Sequence, residues 1–254
     1  MVSRTAATRL LLILSLLANL AAIGIGIVYI ARNGGWSYLD IKLGLAAPAR
    51  HTDTALYRGR VDTLTRLPLP GQRTLFIGDS LTDYAPLEQL FDFPLANLGI
   101  ASDRVGDLSA RTGGLDAARP VAVVVWAGIN DLLAGRDCHD VAEDLVILAQ
   151  RYREQMPQAR LFVVAVAPLT AHSSRLHGDI NVRVRCVNAA LARDLAGSGI
   201  RFLPLATLAN ADDGALIDAY SADGLHLNAA GYRAWAQAVG PALTGAGSVG
   251  THAP

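Results

Sequence analysis

The chain has 254 residues, enough for one medium-sized domain and some additional length. Acidic and basic residues balance at 22 each, and no basic surplus or clustered basic face marks a nucleic-acid partner, so that class is excluded. Apolar residues make up 52%, a high share for a soluble domain, and part of the excess sits at the N-terminus.

Residues 1–9 carry Arg4 and Arg9 ahead of an apolar run over 10–31 that is interrupted only by Ser15 and Asn19. About 22 residues of helix reach roughly 33 Å, the thickness of the hydrocarbon core of a bilayer. Tyr29 and Trp36 stand where interfacial aromatics belong. The expectation is a transmembrane signal anchor, with residues 1–9 cytoplasmic and the bulk of the chain in the periplasm or on the cell surface. A cleaved signal peptide with a secreted product is the alternative. The run is long for one, and Gly24-Ile25-Gly26 is a weak cleavage site.

Residues 32–71 read as a juxtamembrane linker that leaves the anchor through Asn33-Gly34-Gly35. It holds an amphipathic helix over 53–67, where Leu56, Val61 and Leu64 recur at helical spacing before Pro68 and Pro70 stop it. Residues 72–243 alternate short β-rich runs with longer helical ones. Strands are predicted over 75–77, 95–98, 121–126, 161–166 and 200–205. Helices are predicted over 141–156 and 180–195, and from 229 to about 239 behind Asn228 as its cap. The 121–126 run is apolar throughout, as a strand covered on both faces must be. Such alternation predicts an α/β sandwich around a mainly parallel sheet, with ligands bound beyond the carboxyl ends of the strands.

Residues 244–254 read as a flexible tail. Its formal G-x-G-x-x-G over 245–250 follows no strand and opens no helix, so it is not a dinucleotide site. Cys138 and Cys186 each lie near the start of a predicted helix. We read them as two separate small core residues; one disulfide, which an exported chain permits, is the alternative. They make no metal site.

Four short segments at strand ends carry the chemistry. Gly78-Asp79-Ser80-Leu81 turns sharply off the first strand and presents a serine. Asn97-Leu98-Gly99-Ile100 ends the second and can bring a backbone N–H to a reacting carbonyl. Gly128-Ile129-Asn130-Asp131 follows the buried strand and offers a side-chain amide. Asp223-Gly224-Leu225-His226 precedes the last helix, and its carboxylate can reach the imidazole Nδ1. The simpler explanation of the first three is an ordinary turn or loop, and of the fourth a chance aspartate beside a surface histidine.

Together and in this order, the four segments resemble the blocks of the GDSL/SGNH hydrolase family, at Ser80, Gly99, Asn130 and His226, with Asp223 as the third triad member. The resemblance covers about residues 72–243. Within the family, residues 220–228 are most similar to small bacterial acyl esterases related to platelet-activating factor acetylhydrolase and sialate O-acetylesterase. Gly99-Ile100-Ala101-Ser102-Asp103 departs from that subgroup's G-I-S-G-D in the loop beside the glycine. The resemblance implies a three-layer, flavodoxin-like α/β sandwich on a mainly parallel five-stranded sheet. It also implies a catalytic set of Ser80, Asp223 and His226, an oxyanion hole from Ser80, Gly99 and Asn130, and no metal or organic cofactor.

The chemistry agrees with these residue types. A serine hydroxyl is a poor nucleophile without a base in hydrogen-bond reach, and the charge that builds on an attacked carbonyl needs preorganised donors. The expected activity is that of a serine esterase on short-chain acyl esters of lipids or glycans, the substrate being a small molecule or a cell-envelope component. An acyltransferase using the same acyl-enzyme, or a non-catalytic binding module that keeps the fold, are the alternatives. Asp79 and Asp131 are expected to fix loops by bonding backbone. His51, His139, His172, His177 and His252 have no carboxylate at useful sequence spacing, and the loops over 134–138 and 170–179 are expected to shape the substrate site.

Overall fold

A computed structural model describes residues 4–32, 50–66, 71–113, 115–173 and 180–245. The predicted linker exit at 33–35, Pro68 and Pro70, His177, His252 and most of the predicted tail lie outside these residues. Two compact units divide the chain, Met1–Arg50 and His51–Pro254.

In the first unit, helix α1 (Arg4–Arg32) contains the 22-residue stretch Leu11–Arg32, long and apolar enough to cross a membrane. Its large side chains are uncovered, Leu11 and Ile25 among them. A signal sequence meets the same criteria of length and composition.

In the second unit, a short 3-10 turn (His51–Asp53) leads into α2 (Ala55–Arg66). There follow β1 (Thr74–Gly78), α3 (Ser80–Asp83), α4 (Leu87–Leu90), β2 (Leu95–Gly99), α5 (Val105–Arg111), β3 (Ala122–Trp126) and α6 (Ile129–Leu133). The chain continues through α7 (Cys138–Gln155), β4 (Arg160–Val164), α8 (Ile180–Asp194), β5 (Ile200–Leu203) and α9 (Ala229–Leu243). All strand pairs are parallel, in the order β2-β1-β3-β4-β5. The predicted five-stranded parallel sheet is therefore present, and each predicted strand lies within about two residues of an observed one.

Strand periodicity splits the core in two. Leu75, Ile77, Val123, Val125, Leu161 and Val163 face one way, against Leu108 of α5, Leu145 of α7 and Val187 of α8. Phe76, Val124, Trp126, Phe162 and Val164 face the other, against Trp235 and Val239 of α9. Those two helical layers and the sheet make the three-layer sandwich. Asn228 caps α9 as expected, its side-chain oxygen accepting from the Ala230 and Gly231 N–H groups. The helix continues past residue 239 through Pro241, because Ala242 and Leu243 are buried in the core.

The reading of the cysteines as separate is corrected. Cys138, opening α7, and Cys186 in α8 form a disulfide across a Cα–Cα distance of 5.9 Å. They meet because α7 and α8 pack side by side, which spacing along the chain does not reveal.

Candidate active site

Register sets the site. Gly78 at the end of β1 is level with Gly99 at the end of β2 and with Trp126 at the end of β3. The segments carrying Ser80, Gly99 and Asn130 therefore leave the sheet from one edge. Gly78 must lack a side chain, since a Cβ there would lie 2.2 Å from the Trp126 carbonyl oxygen and from Thr82 Oγ1. Asp79 is the N-cap of α3, its Oδ1 accepting from Leu81 N at 3.0 Å. Ser80 is then the first helical residue, with a backbone N–H that the helix leaves unpaired. The Tyr232 hydroxyl of α9 donates to Leu81 O at 2.9 Å and ties α3 to the last helix.

Asp79 is fully buried, and its Oδ2 has no hydrogen-bond partner. Burial pushes its carboxyl up to about 7; the Leu81 N–H opposes this, and the charges of Asp103 and Asp131 add to it. Asp131 also bonds backbone, accepting from Val105 N at 3.0 Å. Both aspartates fix loops, as expected.

The loop before α9 carries Asp223 and His226. Asp223 Oδ1 accepts from the backbone N–H groups of Leu225 (3.0 Å) and His226 (2.8 Å), while Oδ2 meets His226 Nδ1 at 2.6 Å. Gly224 makes the turn at φ +81°, where a Cβ would lie 2.6 Å from that of Ser173. Across 146 positions of sequence, His226 Nε2 reaches Ser80 Oγ at 3.0 Å. The Tyr84 ring lies beside the imidazole, with centroids 5.4 Å apart. Burial works to raise the Asp223 carboxyl, but the bonds from the His226 ring and from the His226 and Leu225 N–H groups outweigh it. They hold the group well below the usual carboxylate range.

The remaining two candidates are engaged with their own chain. The Gly99 N–H donates to Asn97 Oδ1 at 2.9 Å. A Cβ on Gly99 would lie 2.3 Å from Asp83 N, so this glycine lets β2 approach the backbone of α3. Asn130 Nδ2 donates to Asp103 O at 3.0 Å, which leaves its second amide hydrogen available.

Four contributors carried no local sequence signal. Arg111 Nε pairs with the buried Asp103 Oδ2 at 2.6 Å, and its Nη2 donates to Gly78 O (3.2 Å) and Leu98 O (2.7 Å), binding the ends of β1 and β2 together. His51, read as lacking a carboxylate, lies 2.9 Å from Asp103 Oδ1. Fifty-two positions separate the two, so spacing along the chain could not reveal the pair. Asn97 and Tyr84 complete the set. Among the described residues, His51, Asp103 and Asp107 could bring three donor atoms to one ion, but the Arg111 guanidinium already holds that carboxylate. Cys138, His139 and Cys186 form a second such group, with both sulfurs held in the disulfide.

Residues 76–234 match the model of the GDSL-like Lipase/Acylhydrolase family. The chain is 30% identical over 177 residues to the platelet-activating factor acetylhydrolase IB subunit alpha1 of Bos taurus, covering 62% of this chain and 69% of the relative. Among solved structures it resembles a GDSL-like lipase from Bacteroides thetaiotaomicron, with TM-score 0.64 and 18% identity over 78% of this chain and 100% of that one. It also resembles the lipase/acylhydrolase from Enterococcus faecalis, with TM-score 0.57 and 17% identity over 69% and 97%. At these identities the two structures speak for the fold.

Proposed function

The chain belongs to the GDSL-like lipase/acylhydrolase family, and from that premise we propose that it is a serine esterase whose catalytic triad is Ser80, His226 and Asp223. One observation carries the reading: Ser80 Oγ lies 3.0 Å from His226 Nε2, with the Asp223 carboxylate 2.6 Å from the opposite ring nitrogen. A carboxylate on Nδ1–H leaves Nε2 with its lone pair toward the hydroxyl, the tautomer a general base needs.

His226 takes the Ser80 proton as Oγ bonds to the carbonyl carbon of an acyl ester. The tetrahedral intermediate collapses, the C–O bond to the alcohol breaks, and His226 gives its proton to the leaving oxygen. Water, deprotonated by His226, then attacks the acyl-enzyme, releasing the acid and restoring Ser80. Asp223 stays ionised and stabilises the imidazolium. The oxyanion is met by the Ser80 N–H, by the second amide hydrogen of Asn130, and by the Gly99 N–H, which exchanges Asn97 Oδ1 for the substrate oxygen. No step draws on a metal or an organic cofactor.

The mammalian relatives are named acetylhydrolases, which supports a short acyl group. Two features support an envelope ester met outside the cytoplasm. The apolar stretch of α1 suits a membrane anchor, and the Cys138–Cys186 disulfide belongs to an oxidising compartment. The test is a p-nitrophenyl ester series from acetyl to long chain, run with the wild type and Ser80→Ala, beside fluorophosphonate labelling of both. Hydrolysis should favour short chains and fall by at least about 10³ in the variant. The label should map to Ser80. Full activity in Ser80→Ala removes the serine from the mechanism.

A further inference from the structure

We propose that His51 is a positioning residue for the site, acting through Asp103 on Asn130, so that the segment ahead of the α/β core completes the oxyanion pocket. This rests on the role given above to Asn130.

Asp103 couples the two ends of the connection. Its backbone carbonyl accepts from Asn130 Nδ2 at 3.0 Å and so sets the direction of the remaining amide hydrogen. Its carboxylate has no exposed surface and must be bonded on both oxygens to be buried at tolerable cost. Arg111 Nε serves Oδ2, and the Arg111 Nη2 is committed to Gly78 O and Leu98 O. His51 Nε2, from the segment before β1, serves Oδ1 at 2.9 Å.

The loop needs that support. Ser102, next to Asp103, sits at φ +70°, a left-handed conformation unfavourable for a residue with a Cβ and kept only where the surroundings enforce it. His51 is itself well held. Its carbonyl accepts from Thr54 N (3.1 Å) and Thr54 Oγ1 (2.7 Å), and its ring meets Tyr57 edge-on at 5.0 Å. Without the His51 N–H, Oδ1 loses a donor, the strained loop relaxes, and the Asp103 carbonyl that aims Asn130 moves with it.

The test uses the whole 254-residue chain in detergent and a short p-nitrophenyl ester. His51→Phe keeps a ring against Tyr57 but has no N–H, whereas His51→Gln restores a donor near the position of Nε2. His51→Phe should lower kcat about tenfold with KM unchanged, less than the about 10²–10³ expected for removing Asn130's own donor. His51→Gln should recover most of the loss. In an Asn130→Ala background His51→Phe should lower kcat no further, since the group it positions is gone. A wild-type kcat in His51→Phe beside a depressed Asn130→Ala overturns the inference, as does a full tenfold loss persisting in the double variant. A wild-type kcat in Asn130→Ala overturns instead the reading of Asn130 on which it stands. Should His51→Phe not fold, His51→Leu and His51→Gln give the same comparison of donor lost with donor kept.

Discussion

Asn97 grips both sides of the candidate site: its side-chain oxygen holds the Gly99 N–H at 2.9 Å, and its amide donates to Thr82 O at 2.7 Å. The end of β2 is thereby clamped to the helix that begins with Ser80. The same clamp occupies a donor that the proposed reaction calls on, so catalysis has to loosen one bond of it.

Changing the charge of that clamp should therefore be costly. Asn97→Asp keeps the acceptor for Gly99, loses the bond to Thr82, and sets a carboxylate beside the developing oxyanion. A charged acceptor also holds the N–H more tightly. We expect kcat to fall about 10²-fold or more, and further than in Asn97→Ala, which frees the N–H. Steady-state kinetics on a short-chain ester decides it; a smaller loss in the aspartate than in the alanine variant would refute the account.

Asp223→Asn tests the orientation of His226. The backbone bonds to Oδ1 can survive, but an amide nitrogen facing Nδ1 favours the wrong tautomer. A fall in kcat of about 10³–10⁴ is expected with little change in KM. A loss below tenfold would show that Asp223 does not govern the imidazole.

The buried Asp79 predicts a pH signature of stability. With a folded value of about 7 against an unfolded value of ~3.9, the native state binds more protons than the unfolded chain between those limits. Stability therefore falls as pH rises through that window. Asp79→Asn can still cap α3 and carries no charge to bury. Melting temperatures should show the variant gaining on the wild type from pH 4 to pH 8, with most of the change before about pH 7.5. A difference that stays flat with pH rules out this account of Asp79.

The disulfide should matter for stability more than for chemistry. It closes a loop of 48 residues, and constraining such a loop in the unfolded chain is worth about 4 kcal/mol on the chain-entropy account. Replacing both Cys138 and Cys186 by serine should lower the melting temperature by several degrees, leave it insensitive to reductant, and preserve fluorophosphonate labelling at low temperature. An unchanged melting temperature would mean that the bond contributes nothing to the fold.

Much of the sheet was legible because its determinants are local. The run over residues 121–126 is apolar at every position, which suits a strand covered on both faces; residues 122–126 form that strand, β3, and Val121 ahead of it is exposed. The turn residues Gly78, Gly128 and Gly224 and the cap Asn228 mark where such strands and helices meet. The short polar segments at those ends were legible for the same reason, and their order along the chain located the candidate serine, asparagine and histidine.

What surrounds those residues was decided only by packing in three dimensions. Whether the Gly99 N–H faces Asn97 or solvent depends on how closely β2 approaches α3. The joining of Cys138 to Cys186 depends on which helices lie side by side. The His51–Asp103 pair depends on a segment folding back over 52 positions onto a buried carboxylate. Hydrogen bonds and burial act between atoms near in space, and no local pattern of residue types records which distant segments the closed core brings within their reach.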